Sequence, residues 1–76
     1  MKIFNFCKDE EEFLIENCNF TDDELFVFKC KQKNYSIVKI AMELSVSERT
    51  VNILVDRITN KIIKTLIIRA IKNKSN

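Results

Sequence analysis

The sequence predicts an all-α fold, a small helical bundle that ends in a long C-terminal helix. The 76-residue chain contains no Gly and no Pro, so tight hairpins are disfavoured, and turns that need positive φ must use Asn, Ser or Lys. A residue suited to an N-cap, with apolar residues placed to pack across it, occurs at Thr21, Ser36 and Ser47. From Glu48 to Lys72 apolar residues recur at helical spacing with no helix breaker.

The first 19 residues are predicted to form an acidic N-terminal extension that is partly helical. Consecutive acids at residues 9–12 suit the first turn of a helix, where the helix dipole favours negative charge. This helix is expected to extend from Asp9 to Cys18, with Phe13, Leu14 and Cys18 facing inward. The apolar residues within Met1–Phe6 are expected to pack against another part of the fold.

Residues 20–76 are predicted to form the main domain, whose first helix begins in the stretch FTDDEL. Thr21 fits the N-cap, and Glu24 stands three residues later, where it completes a capping box. This helix is expected to extend from about Asp22 to Lys33, with Val27 and Phe28 facing inward.

Two further caps begin the remaining helices. Ser36 is expected to cap a short helix from Ile37 to Leu44, and Ser47 is expected to cap the last helix. The last helix is expected to continue to Lys72, either as one uninterrupted helix or with a bend near residues 59–60.

Composition argues against an enzyme, a cofactor and a metal site. The chain has no His, which removes the most common general base and most zinc sites. Without Gly it has no phosphate-binding loop. Cys7, Cys18 and Cys30 are spaced by 11 and 12 residues, which fits no metal-binding pattern. We expect free, buried or half-buried thiols in a reducing cytoplasm, and no apolar run approaches the ~20 residues that span a bilayer.

Charge is distributed unevenly along the chain. Residues 1–24 contain two Lys and eight acids, a net charge of −6, whereas residues 25–76 contain eight Lys, three Arg and three acids, a net charge of +8. A basic region behind an acidic one favours a polyanionic partner, although such runs also occur as ordinary solvated surface.

The third and fourth predicted helices match a helix-turn-helix. That motif needs a small residue midway along its first helix so that the second can approach closely, and Ala41 stands there. Val46 is expected to be buried in the turn between Ser45 and Ser47. The other expected contacts are also apolar: Ile40, Leu44, Val51 and Leu54. The alternative is a plain three-helix bundle with coincidental spacing.

On these residues the chain resembles a LuxR/GerE-type DNA-binding domain, and it is also similar to region four of bacterial sigma factors and to sigma-like phage regulators. The resemblance covers residues 20–62. It rests on Thr21 with Glu24, Val27-Phe28, Ile40-Ala41, Glu43-Leu44 and, above all, Ser47-Glu48-Arg49-Thr50-Val51. LuxR/GerE domains usually break at a Gly after the recognition helix, whereas this chain continues through Ile62-Ile63-Lys64-Thr65, as sigma factor region four does.

The resemblance implies that the helix beginning at Ser47 enters the major groove of double-stranded DNA. Base edges would then be contacted by Glu48, Arg49, Asn52, Ile53 and Asp56. Phosphates would be contacted by Thr50 and Ser36. Basic side chains nearby are further candidates for phosphate contacts: Lys39, Arg57, Lys61 and Lys64.

The far half of the last helix carries a broad apolar surface that must be covered. It is predicted to form a homodimer interface, or else to pack back onto Met1–Phe6 and Phe13-Leu14. Its residues are Ile62, Ile63, Leu66, Ile67, Ala70 and Ile71.

The function expected from the sequence is a DNA-binding transcriptional regulator that reads the major groove with the helix beginning at Ser47. The alternative is a sigma-like protein-interaction module that binds RNA polymerase or another regulator. A membrane-surface role for the basic amphipathic run KIIKTLIIRAIKNK is a third and weaker hypothesis.

Overall fold

The computed structural model describes residues 6–74, and it describes the side chains as far as Lys72. Within this range the chain forms four helices and no strand: α1 (Lys8–Asn17), α2 (Asp22–Gln32), α3 (Ile37–Leu44) and α4 (Glu48–Lys74). The prediction of a small all-α fold with a long C-terminal helix is confirmed. The 27 residues of α4 span about 40 Å at 1.5 Å per residue, so this helix sets the 46 Å length of the molecule.

The helices begin where the predicted caps place them. The Thr21 hydroxyl accepts a hydrogen bond from the Glu24 N–H at 3.2 Å, and the Glu24 carboxylate accepts one from the Thr21 N–H at 2.9 Å. The Ser36 hydroxyl accepts from the Lys39 N–H at 3.1 Å. The Ser47 hydroxyl accepts from the Thr50 N–H at 3.2 Å. Each cap therefore satisfies an amide that the first helical turn leaves without a partner.

Helix boundaries agree with the sequence to within one residue for the first three helices, and α4 ends at Lys74, two residues after the predicted Lys72. The range of α3 is as predicted, α2 ends one residue earlier, and α1 begins and ends one residue earlier. The last helix continues through Thr59 and Asn60, so the alternative of one uninterrupted helix is the one observed.

Each of the first three helices is followed by a residue that has positive φ and is not Gly. Asn19 follows α1 with φ 54°. Asn34 follows α2 with φ 63° and Ser45 follows α3 with φ 57°. The N–H of Tyr35 then bonds to the Cys30 carbonyl, and the N–H of Val46 bonds to the Ala41 carbonyl, each at 3.0 Å. This is the Schellman pattern that closes many helices, and Asn and Ser supply the positive φ, as the absence of Gly predicted.

The core lies between α4 and the three shorter helices. The buried face of α4 carries Val51, Leu54, Ile58 and Ile62 at intervals of three and four residues, the spacing of one helical face. The other helices contribute the rest of this single cluster: Leu14, Cys18, Val27, Phe28, Cys30, Ile40 and Ala41. The inward placement predicted for Leu14, Cys18, Val27 and Phe28 is thereby confirmed, whereas Phe13 is half-buried.

The burial of Ile62 and of Val46 differs from the prediction. Ile62 was expected on the dimerisation surface, but it is fully buried in the core because it follows Ile58 by four residues and continues the buried face. Val46 was expected to be buried in the turn, but it is 38% exposed. Its backbone N–H closes α3 at the edge of the bundle, which leaves its side chain at the surface.

The segment before α1 is hydrogen-bonded to α2 through one side-chain amide. Gln32 accepts a hydrogen bond from the Phe6 N–H at 3.0 Å and donates one to the Phe6 carbonyl at 3.1 Å. The Phe6 ring lies 6.3 Å from that of Phe28, centroid to centroid. Phe6 therefore packs on the core as expected, and the remainder of the predicted Met1–Phe6 contact lies outside the described residues.

The left-handed turn at Ser45 yields a stability prediction. Replacing Ser45 with Gly should raise the free energy of unfolding by about 1 kcal/mol, because Gly lacks the β-carbon that clashes at positive φ. For a domain of this size that corresponds to a rise of roughly 5 °C in Tm, measurable by circular dichroism. Ser45→Ala is the matched control, since it keeps the β-carbon, and it should give no rise. Equal Tm values for the Gly and Ala variants would contradict this account.

Candidate nucleic-acid interface

The second half of the fold presents α3 and the start of α4 as a helix-turn-helix. Only residues 45–47 separate the two helices. Ile40 and Ala41 of α3 and Val51 of α4 are at most 5% exposed and belong to the same core cluster. The small Ala41 side chain lets the helices approach closely, so the core fixes the orientation of the outer face of α4.

The residues predicted to contact base edges lie together on that outer face. All five are exposed, and they occupy the side of α4 that faces away from Val51 and Leu54. We call this set the reading face: Glu48, Arg49, Asn52, Ile53 and Asp56. It offers a guanidinium group, an amide, two carboxylates and one apolar side chain, which is 45% exposed.

Hydroxyl groups predicted to lie beside DNA also hold the helix ends. Ser36 caps α3 and Ser47 caps α4. The Ser47 and Thr50 hydroxyl oxygens lie 3.0 Å apart, within hydrogen-bonding distance. All three side chains are exposed, and a hydroxyl that accepts one bond can still donate another. Because one hydroxyl of the Ser47–Thr50 pair donates to the other, the remaining O–H of that pair and the O–H of Ser36 are the ones left to donate to phosphate.

The basic residues predicted to contact phosphates fall into two groups. Lys39, Arg57 and Lys64 are exposed, and the Lys39 ammonium lies 4.1 Å from the centroid of the Tyr35 ring. Lys61 differs, because its ammonium group forms a salt bridge with the Glu24 carboxylate and donates to the Asn19 carbonyl at 3.2 Å. Lys61 is thus held within the fold, and a phosphate contact would have to break this ion pair.

Glu24 is a buried charged residue, with 2% of its surface exposed. Burial alone would raise its pKa. The hydrogen bond from Lys61 and the one from the Thr21 backbone together outweigh burial and hold the pKa of Glu24 below its ordinary value of 4.5. The carboxylate therefore stays charged at neutral pH and joins the start of α2 to the middle of α4.

Buried thiols lie on the other side of α4. The Cys18 sulfur is 3.3 Å from the Thr65 hydroxyl oxygen, and burial raises the pKa of this thiol. Burial also raises the pKa of Cys30. Both thiols are free and buried as expected, whereas Cys7 is free but exposed. A raised pKa disfavours the reactive thiolate, so Cys18 and Cys30 act as apolar core residues.

The far half of α4 exposes most of the apolar surface predicted for dimerisation. Without Ile62, the set that we call the apolar stripe is Ile63, Leu66, Ile67, Ala70 and Ile71. Its four large side chains are 40–60% exposed. The alternative was packing onto Met1–Phe6 and Phe13-Leu14. In the described residues the Phe13 ring lies against Arg69, 4.5 Å from the centroid, and Leu14 is buried in the core, whereas residues 1–5 lie outside the described residues.

Residues 6–74 contain no group of three His, Cys, Asp or Glu side chains placed to hold a metal ion. None of the helices in this range is both long enough and apolar enough to cross a membrane. Comparison with protein-family models gave no match, and neither did comparison with curated proteins or with solved structures.

Sequence reasoning predicted the exposure of the five side chains of the reading face and missed two long-range contacts of the fold. The salt bridge between Glu24 and Lys61 joins residues 37 positions apart, and the amide of Gln32 binds a backbone 26 positions away. A capping box marks Glu24 in the sequence, but no local pattern indicates which distant cation neutralises it.

The Glu24–Lys61 pair should show an asymmetric response to mutation. Lys61→Met leaves a buried carboxylate without its cation and should lower the free energy of unfolding by about 2 kcal/mol at pH 7. Glu24→Gln leaves Lys61 able to reach water and should cost only about 1 kcal/mol. Urea unfolding of both variants measures the difference.

The same pair should make stability depend on pH in a defined direction. Because the pKa of Glu24 is lowered on folding, its contribution is complete above pH 4.5 and is lost as the pH falls through the lower, folded-state value. The gap in stability between the native chain and Glu24→Gln should therefore shrink on acidification from pH 6 to about pH 3. A gap that stays constant or widens would contradict this assignment.

Proposed function

We propose that this chain is a transcriptional regulator that binds double-stranded DNA and reads the major groove with the first half of α4. One observation carries the proposal. The reading face projects from a helix whose opposite side is buried in the core, and a three-residue turn joins that helix to α3. An α-helix held in this way can enter the major groove while α3 lies across the backbone.

The side chains of the reading face match the hydrogen-bonding groups of bases. Arg49 can donate two hydrogen bonds to guanine, and Asn52 can pair with adenine. Glu48 and Asp56 can accept from the amino group of cytosine, and Ile53 can contact the methyl group of thymine. Acids on the reading face favour sequence recognition over purely electrostatic binding, because a carboxylate is repelled by phosphate unless it meets a donor.

Phosphate contacts would come from the exposed cations and hydroxyls around the reading face. Lys39 and Ser36 lie at the start of α3, Thr50 lies in the first turn of α4, and Arg57 and Lys64 lie farther along α4. These groups would fix the position of the helix on the duplex without reading its sequence. Lys61 is left out of this set because it neutralises Glu24.

The apolar stripe supports a homodimer, since two copies would double the length of DNA that is read. A regulator of this kind acts in the cytoplasm of a bacterium or of a phage-infected cell. A second candidate function is a sigma-like module that binds RNA polymerase or another regulator. The observation that favours it is the apolar outer surface of α3, where Val38 is 52% and Met42 is 75% exposed.

Reversing the charge of Arg49 tests the proposal. In fluorescence anisotropy with a pool of randomised duplexes at low salt, Arg49→Glu should weaken binding by about 100-fold, since it removes a base contact and adds a repelled charge. Lys8→Glu is the matched control, because it makes the same charge change at an exposed position on α1. The control should bind within about threefold of the native chain.

Equal losses in the two variants would show that net charge alone drives binding. Absence of binding by the native chain even at low salt would overturn the DNA-binding proposal and would favour the protein-interaction module.

Measuring affinity at several salt concentrations should distinguish phosphate contacts from base contacts. Lys64→Gln should weaken binding to all sequences alike and reduce the slope of log affinity against log salt by about 0.9. Asn52→Ala should leave that slope unchanged and relax the preference at one base pair of the selected site. Sequencing the bound pools and titrating each variant at several salt concentrations gives both readouts. A change of slope for Asn52→Ala would place that residue on the backbone instead.

A further inference from the structure

The reading face and the apolar stripe lie on one side of a single uninterrupted helix. Positions 49, 53, 56, 60, 63, 67 and 70 of α4 follow one another at alternating steps of four and three residues. This heptad spacing keeps them in one row along the helix. The first three belong to the reading face, the last three belong to the apolar stripe, and the exposed Asn60 stands between them.

Resting on the DNA-binding function proposed above, we propose that two copies of this chain pair in parallel along their apolar stripes. The first halves of the two α4 helices then diverge, and the two reading faces contact one DNA duplex from opposite sides. The partner is a second copy of this chain, and the pairing surface is Ile63, Leu66, Ile67, Ala70 and Ile71.

Among residues 6–72 the fold leaves room for this pairing. The buried residues Val51, Leu54, Ile58 and Ile62 point roughly a third of a turn or more away from the row, so α2 and α3 do not lie between the two stripes. The contact with α1 is also off the row, because Phe13 stacks on Arg69. Neither the core nor α1 separates the two stripes.

Polar and flanking residues favour a parallel arrangement in register. Asn60 then meets Asn60 of the second copy, and the two amides can donate to and accept from each other, as a single Asn in the row of a parallel helix pair does. On the flanks, Leu66 meets Ile71 and Thr59 meets Lys64 of the second copy. No two cations are opposed at these flanking positions.

Binding of both paired copies to one duplex also requires the parallel orientation. In an antiparallel pair centred on Ile67, the two copies of Asn52 would lie about 45 Å apart at 1.5 Å per residue. Because the reading face shares its side of the helix with the stripe, the two reading faces would then point in opposite directions. A single duplex could not lie against both. In a parallel pair the two faces point towards each other, with the duplex between them.

The stripe is large enough for a weak pair. Its four large side chains are 40–60% exposed and offer roughly 350 Å² of apolar surface per copy, which is the size of a functional patch. A stable interface buries ~800 Å² per partner. We therefore expect self-association only at high protein concentration, strengthened at least tenfold by a DNA site that holds two copies.

Disulfide crosslinking determines the orientation. In the full chain with Cys7→Ser, which removes the exposed thiol and keeps the buried Cys18 and Cys30, Asn60→Cys should form a disulfide-linked dimer under mild air oxidation. A mixture of Ile63→Cys and Ile71→Cys chains should give no crosslink between the two unlike chains, because only antiparallel pairing brings those positions together. Predominant crosslinking in the mixture, with none for Asn60→Cys, would overturn the parallel arrangement.

Substitution within and beside the stripe tests the surface itself. Ile67→Lys should weaken self-association in analytical ultracentrifugation at least tenfold. Ile68→Lys is the matched control, because Ile68 is as exposed as Ile63, at 45%, but lies off the row. The control should leave self-association within about twofold. Equal effects of the two variants, or a native chain that stays monomeric at all concentrations and fails to crosslink, would overturn the proposal.

Failure of the pairing can be distinguished from failure of the DNA-binding function. Crosslinking and sedimentation are measured without DNA, and anisotropy is measured separately. A chain that binds DNA as one copy per duplex and gives no Asn60→Cys crosslink would retain the DNA-binding function and refute the pairing. A chain that crosslinks through Asn60→Cys but binds no duplex would support the pairing surface and refute the proposed binding of DNA by the pair.

Discussion

The buried carboxylate of Glu24 is the interaction on which the arrangement of the helices depends. It caps α2 through the Thr21 amide and is neutralised by Lys61 of α4, which also binds the carbonyl of Asn19 in the loop after α1. Three segments thus meet at one ion pair. A charge buried in an apolar core is tolerated only with such partners, so the pair fixes how α2 sits along α4.

In that arrangement three faces of α4 differ in their surroundings. One face is buried against the shorter helices, a second carries the reading face and the apolar stripe in one row, and a third carries cations such as Arg57 and Lys64. Because the buried face continues from Val51 to Ile62, the reading face and the apolar stripe share one exposed side of α4 and are separated only along its axis. The fixed rotation of α4 is therefore what gives each surface its direction.

Local features of the fold could be predicted from the sequence, and long-range ones could not. The caps at Thr21, Ser36 and Ser47 are contacts across three residues, so composition and spacing reveal them. The burial of Ile62 was missed because Ile62 and Ile63 are adjacent and equally apolar, and the choice between them depends on a rotation that the core sets. For the candidate interface, helical periodicity predicted that the reading face is exposed. It did not predict that Lys61 forms a salt bridge with Glu24, because that contact joins distant segments of the chain.

The reactivity of the two buried thiols can report local unfolding of the native chain. Cys18 is shielded between the end of α1 and Thr65 of α4, whereas Cys30 is shielded on α2 beneath the turn that leads to α3. A thiol reacts with a modifying reagent only when its cover moves away. Cys18 would thus record the detachment of α1 and Cys30 the loosening of α2, each at its own rate and without any added label.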